Sequence, residues 1–195
     1  MRTLIIYASP NKTGHCAQIQ SEIRQRFDSE ARPYEVLDLC SIKYDPVLQE
    51  DELYTIGNRT ISNQNLKIQA MIKESRHIIF IYPVWWGSMP AILKGFFDRI
   101  LTPGFAYQFS PQGIPQGLLK DKKVVVFMTS GSASAVTLLF NQKRSSALIR
   151  DDILKFCGMD ANVFVVDKAR KLDDAQKHKI KREVKKGLDW LYSSV

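Results

Sequence analysis

Three short segments of this chain hold residue types that can bind and roof a flat, phosphorylated ligand. The first reads Ser9-Pro-Asn-Lys-Thr-Gly-His-Cys16. Its hydroxyls at Ser9 and Thr13, the glycine at 14 and the free amides of a following helical turn suit a phosphate. It matches neither G-x-x-x-x-G-K-[ST] nor G-x-G-x-x-G. Helix capping by the same residues accounts for it as well, and Lys12 either faces the phosphate or is a solvated side chain. The second, Pro83-Val-Trp-Trp-Gly-Ser88, places two adjacent tryptophans after an apolar run. They either line a pocket for a flat apolar ligand or pack over the next helix. The third, Ser130-Gly-Ser-Ala-Ser134, offers amides and hydroxyls to the polar edge of a heterocycle, although a plain turn has the same composition.

These segments matter because of where the surrounding pattern puts them. Short β-branched apolar runs lie at Thr3–Ala8, Tyr34–Leu39, His77–Tyr82, Val124–Thr129 and Asn162–Val166. Between them the apolar spacing is helical, over Ala17–Phe27, Asn65–Glu74, Ala91–Leu101 and Val136–Phe156, with a last helix near the C-terminus. Five mostly uncharged strands alternating with five helices predict an α/β fold with a parallel sheet covered on both faces. Such sheets bind ligands beyond the carboxyl ends of their strands, where all three segments fall. There is no internal repeat and no low-complexity linker, so residues 1–195 are expected to form one domain.

Composition narrows the class further. Hydrophobic residues make up 45% of the chain and charged residues 25%, enough to bury a core. Cys16, Cys40 and Cys157 are odd in number and far apart, which fits free thiols in a reducing compartment. His15, His77 and His178 are scattered, so no metal site is expected. The long uncharged stretches, Ile78–Leu93 and Val124–Gln142, are broken by Pro83, Gly87 and Pro90 in one case and by hydroxyl residues in the other. Neither reads as a membrane span, and a cytoplasmic location is expected. Of the net charge of +8, Lys168–Lys186 supplies +6, with nine Lys/Arg against Asp173, Asp174 and Glu183. That stripe reads as the solvated face of the last helix, with Leu172, Ile180, Val184, Leu188 and Leu191 inward. No nucleic-acid motif accompanies it.

Three chemistries of this architecture fail on the residues. A Cys-x5-Arg phosphate loop is absent, since Glu22, Pro46 and Val163 stand where the arginine is required. Receiver-type acidic residues are absent, with Ser9-Pro10 and Tyr82-Pro83 in their places. The dinucleotide fingerprint is absent too.

The run Tyr82-Pro-Val-Trp-Trp-Gly-Ser-Met-Pro-Ala-Ile-Leu-Lys-Gly-Phe-Phe-Asp-Arg99, followed by Pro103-Gly-Phe-Ala-Tyr107, closely resembles the NAD(P)H:quinone oxidoreductases of the DT-diaphorase family. Ala8-Ser-Pro, Asp45-Pro-Val and Thr129-Ser-Gly extend the likeness over roughly residues 1 to 160. The resemblance implies a flavodoxin-like, doubly wound sheet of order 2-1-3-4-5. It also implies a bound flavin, FMN with FAD as the alternative, and two-electron, ping-pong transfer from NAD(P)H to a quinone-like acceptor. A homodimer is usual for the family.

Carried across, Ser9, Thr13, Gly14, His15 and Cys16 fall where the family holds the flavin phosphate. Pro83, Val84, Trp85, Trp86 and Gly87 fall on the loop against the isoalloxazine ring. Thr129, Ser130, Gly131 and Ser132 fall at its pyrimidine side. Trp86, Tyr107 and Phe109 fall on the substrate pocket, the last two from across the subunit interface. His15 reads as a helix-start packing residue or phosphate neighbour, and Cys16 as packing or as a thiol activated by the helix start. The family's Tyr and His beyond the fourth strand align with about Thr137 and Lys143, so that relay is missing, and no catalytic side chain is assigned. A rival reading is a flavin-containing interaction module docking through the basic helix. A flavodoxin-type one-electron carrier fits less well, because those proteins are usually acidic and lack the P-A-I-L-K-G segment.

Overall fold

The structure, a computed structural model, describes residues 2–53, 55, 59–132 and 142–193, without the side chains of 142 and 143. The alternation of apolar runs and helical spacing is realised as β1 (Thr3–Tyr7), α1 (His15–Ser29), β2 (Tyr34–Asp38), α2 (Asn63–Glu74), β3 (His77–Pro83) and α3 (Ala91–Ile100). A hairpin, β4 (Tyr107–Phe109) and β5 (Pro115–Gly117), comes next, then β6 (Lys123–Thr129), α4 (Gln142–Ala147), a π-helical stretch Leu148–Lys155, β7 (Asp160–Val166) and α5 (Asp174–Tyr192).

Five strands form one parallel sheet in the order β2-β1-β3-β6-β7, which is the expected 2-1-3-4-5 once the hairpin strands are set aside. Both faces are covered, so alternate residues of each strand feed two cores. Leu4, Ile6, Phe80 and Val126 pack with α2, α3 and the π-helical stretch. Ile5, Tyr7, Ile79, Ile81 and Phe127 pack with Ile19, Ile23 and Phe27 of α1 and with Ile180, Val184, Leu188 and Leu191 of α5. The last helix therefore turns its apolar stripe inward as its spacing requires, although it starts at Asp174, leaving Lys168–Asp173 as a connecting loop.

Two differences from the sequence reading have local causes. The hairpin is not foreseen there, because strands of three residues are too short to show a period. The helix expected over Val136–Phe156 is seen from Gln142 and changes to π-helical hydrogen bonding at Leu148. Its first part lies outside the described residues, as do Ser134 and Thr137 and the side chain of Lys143.

Gly95, inside the P-A-I-L-K-G run, is explained by packing. A Cβ there would overlap the Pro46 carbonyl oxygen, so α3 can lie against the Asp45-Pro46-Val47 segment only with glycine. Arg99, one turn on, closes the same contact. Its Nε lies 2.8 Å from Glu52 Oε2, its Nη2 donates to Glu52 Oε1 at 2.9 Å and its Nη1 donates to the Asp45 carbonyl. The Arg99 and Glu52 side chains are 10% and 8% exposed, so the pair is taken almost wholly out of water.

Candidate functional site

The carboxyl ends of β1, β3 and β6 border a cleft of about 300 Å³. Backbone bonds carry the sheet slightly past the strands and fix its floor: Ala8 N donates to Ile81 O at 2.9 Å, Val84 N to Thr129 O at 2.8 Å and Ser130 N to Val166 O at 2.9 Å. Ser9, Gly14, His15 and Cys16 come to it from the first loop, Pro83 and Trp85 from the second, and Thr129 from the third.

The first loop is held by its own polar groups. The buried Tyr7 hydroxyl donates to Asn11 O at 2.7 Å, and burial raises its pKa to about 12. The Asn11 side chain takes up the Thr13 amide (2.9 Å) and the Thr13 hydroxyl (3.2 Å). Thr13 is thus committed to the loop and is not among the cleft residues. Lys12 is not simply solvated: its ammonium pairs with Asp38 and lies 4.8 Å from the centre of the Tyr7 ring.

At the start of α1 no side chain caps the helix; Gly14 occupies the N-cap. The first-turn amides, which have no partner within the helix, are left for a ligand. His15 is 9% exposed and its Nε2 is buried with no hydrogen-bond partner. Burial lowers its pKa, while the Lys171 backbone and Asp173 pull it back toward the charged form. Cys16 answers the question of an activated thiol in the negative. Burial pushes it up to about 11, and its Sγ sits 3.4 Å from Thr129 Oγ1, tying α1 to the end of β6.

The tryptophan loop is a tight reversal. Trp85 N donates to Ser88 O and Ser88 N to Trp85 O, each at 2.9 Å, with only Trp86 and Gly87 between them. Their φ angles of 51° and 72° have the signs of a type I′ turn. Glycine meets that demand freely and tryptophan does not, so Trp86 is held in a left-handed conformation. Its ring is fully exposed and Trp85 is about half exposed, so neither tryptophan is a core residue. Ser145 donates to Gly87 O and pins the turn from outside.

Residues overlooked in the sequence close the fourth side. Ala169, Arg170 and Leu172, from the loop after β7, also line the cleft. Lys168 N donates to Ser132 O at 3.0 Å, Ala169 N to Ser130 O at 2.8 Å and Arg170 Nε to Gly131 O at 3.1 Å, so this loop is laced to the Ser130–Ser132 segment. The strand-end rule that points to three loops applies equally to the fifth strand, and following it would have found Arg170. Asn11 also lines the cleft, and it holds the first loop through its bonds to Thr13 and from Tyr7. Val84, Trp86, Gly87, Ser130, Gly131 and Ser132 lie on the same loops, next to the cleft residues in sequence. Tyr107 and Phe109 are not brought to it within one chain. Tyr107 lies in a separate groove with Phe97, Leu101, Ile153 and Phe156, its ring 5.0 Å from that of Phe156.

The donor set fits a flavin nucleotide. An uncapped helix start, an orphaned imidazole nitrogen and the Arg170 guanidinium suit a phosphate, and the adjoining tryptophan turn suits a flat ring. Among the described residues no group of three or more His, Cys, Asp or Glu is placed to hold a metal, and no helix is long and apolar enough to cross a membrane.

Comparison with known proteins supports the same assignment. A family model described as flavodoxin-like fold matches residues 1–188. An uncharacterized NAD(P)H oxidoreductase of Haemophilus influenzae is 32% identical, over 88% of this chain and 89% of its own. An FMN-dependent NADH:quinone oxidoreductase of Coprothermobacter proteolyticus is 28% identical, over 82% of each chain. A solved protein of Streptococcus mutans UA159 superposes with a TM-score of 0.83 at 29% identity, covering 95% of this chain and 97% of that one. The chain spans 64% of the length of the Cavia porcellus NAD(P)H dehydrogenase [quinone] 1, to which it is 25% identical. Matched over nearly its whole length, the chain belongs to the flavodoxin-like fold family.

Proposed function

We propose that the protein is a flavin-dependent NAD(P)H oxidoreductase that reduces quinones or similar aromatic acceptors by two-electron, ping-pong transfer. It acts as one domain, in the cytoplasm, with FMN in the cleft; the FMN-dependent relative from Coprothermobacter proteolyticus favours FMN over FAD. The observation that carries the reading is the cleft itself, where phosphate-binding groups at the start of α1 adjoin the strained tryptophan turn at the ends of β1, β3 and β6.

When bound, FMN supplies hydride acceptance and donation. The chain's residues bind and orient it. The first-turn amides of α1, His15 and Arg170 would hold the phosphate, and the Pro83–Gly87 turn and the Thr129–Ser132 segment would flank the ring. Backbone N–H groups of these two segments that the fold leaves unused would stabilise negative charge on the ring. Trp86, held out from the turn, stacks on the nicotinamide or the acceptor and sheds water from the site. One shared flat site makes the two substrates bind in turn. Tyr107 and Phe109 act as substrate-pocket aromatics from a second copy of the chain in a homodimer, in keeping with their place outside the cleft and with the 54% exposure of Phe109.

The rival, an interaction module docking through the basic helix, draws little support from α5. Lys177 pairs with Asp174, Lys179 with Asp167, Lys185 with Asp189 and Lys186 with Glu183, which leaves the stripe net positive but ties down four of its lysines. The test is the visible absorbance of the purified protein during anaerobic addition of NADPH or NADH. Flavin bands that bleach and return with a quinone are expected. A protein that takes up neither FMN nor FAD overturns the reading, and one that binds flavin without turnover turns it to the module.

A further inference from the structure

The start of α1 holds polar groups that the fold itself leaves unsatisfied. Gly14 caps the helix with no side-chain acceptor, and the first helical residue, His15, is 9% exposed with Nε2 buried and unpartnered. Leaving a buried polar group unpaired carries a cost that an apolar side chain at a helix start would avoid. His15 lines the cleft beside Ser9, Gly14 and Arg170.

Building on the flavin reading above, we propose that His15 is a proton-taking ligand of the cofactor phosphate: as the phosphate enters, Nε2 accepts one proton from solvent and becomes a charge-assisted donor to it. No electrons move in this step; the proton leaves the buffer and stays on the ring. The orphaned nitrogen then acquires a partner, and the positive field of Arg170 acquires a counter-charge.

The groups around the ring set the direction. In the protein without ligand, burial holds His15 below its usual value of 6.5. The Lys171 backbone and Asp173 favour the imidazolium. Arg170 lines the same cleft. Cys16, the neighbour on α1, is a neutral thiol, and the Lys12 ammonium is turned away onto Asp38. A phosphate adds negative charge and raises the pKa, as an opposite charge at close range does. Binding therefore takes up protons between the free and bound values and strengthens as pH falls through that window. A tenfold gap between the acid constants of the free and bound forms strengthens binding by up to about tenfold, the full factor being reached only below both values.

The experiment is calorimetric titration of FMN into the full chain stripped of cofactor, near neutral pH, in two buffers of different ionisation enthalpy. Riboflavin, which lacks the phosphate, and the His15→Gln variant are run alongside. The phosphate's own second ionisation, near pH ~6, is nearly complete near neutral pH, so the difference between the two proteins reports chiefly the proton on His15. The expected result is that wild type takes up more protons than His15→Gln with FMN but not with riboflavin, and that the variant's deficit in FMN affinity grows as pH falls, towards about tenfold. Equal proton counts in the two proteins overturn the proposal and leave flavin binding standing. Failure of both FMN and riboflavin to bind overturns the flavin reading and this proposal together. If His15→Gln does not fold, the imidazole nitrogen chemical shifts of wild type decide it: a ring still neutral in the FMN complex at about pH 6.5, the usual histidine midpoint, overturns the proposal.

Discussion

At the Trp85–Ser88 turn the chain holds Trp86 at φ 51° with its ring in water, and across the same site lies a histidine nitrogen that nothing satisfies. A little further along the same run, Gly95 and Arg99 sit in a region where everything is matched. Gly95 admits the Pro46 carbonyl, and the Arg99 guanidinium is shared between Glu52 and Asp45. Both regions are equally recognisable in the sequence. One keeps strain and an open valence that a ligand can relieve, and the other has committed every group to the fold. Recognisability of a motif therefore does not separate residues that act from residues that hold them in place.

The contrast breaks most visibly at the ion pair. Arg99→Leu leaves the Glu52 carboxylate buried without its partner, and urea unfolding is expected to show a loss of about 3–5 kcal/mol. Adding Glu52→Leu should restore much of it; no recovery would mean that the arginine stabilises by packing alone. Gly95→Ala comes next. Its methyl must displace the Pro46 backbone, at a cost of about 1–3 kcal/mol by the same measurement, with the cleft unaltered.

On the other side of the comparison the sign reverses. Trp86→Gly removes a left-handed tryptophan and should stabilise the protein by about 1 kcal/mol. The same change should lower kcat/KM for an aromatic acceptor about two- to tenfold, the worth of one ring contact of ~0.5–1.5 kcal/mol. A variant that loses stability would show that the exposed ring packs on something in solution. Lys12→Ala should move stability by less than about 1 kcal/mol, as expected for a half-exposed pair, and leave FMN affinity nearly unchanged; a large loss of affinity would return Lys12 to the phosphate.

The smallest effect concerns pH. Burial, helped by Arg76, Lys123 and Arg32, holds the folded-state pKa of His77 below its usual 6.5. The unfolded chain then binds its proton first, so this contribution is complete above pH 6.5 and is lost as pH falls from there through the folded value. The melting temperature of wild type should drop on acidification through that range, and less so for His77→Gln.

The strands, their order and most helices are legible in the sequence because period-two and helical spacing record burial directly. The cleft is legible wherever strand-end loops carry unusual residue types, from Ser9 and His15 to Trp85 and Thr129. What is not legible depends on distant partners. The need for glycine at 95 comes from Pro46, the role of Arg170 from the Ser130–Ser132 segment, and the thiol state of Cys16 from its burial against Thr129. Nor does the sequence of three-residue strands distinguish the β4–β5 hairpin from a loop.

The exposed tryptophan has one more consequence. The chain has three tryptophans, and two of them, Trp85 and Trp86, stand at the cleft, while Trp190 is tucked against the α1–α5 face under the Lys123 ammonium. The molecule thus carries its own fluorophores at the mouth of the site. A flavin that settles there absorbs where tryptophan emits and should quench them by energy transfer, so its occupancy can be followed without a label.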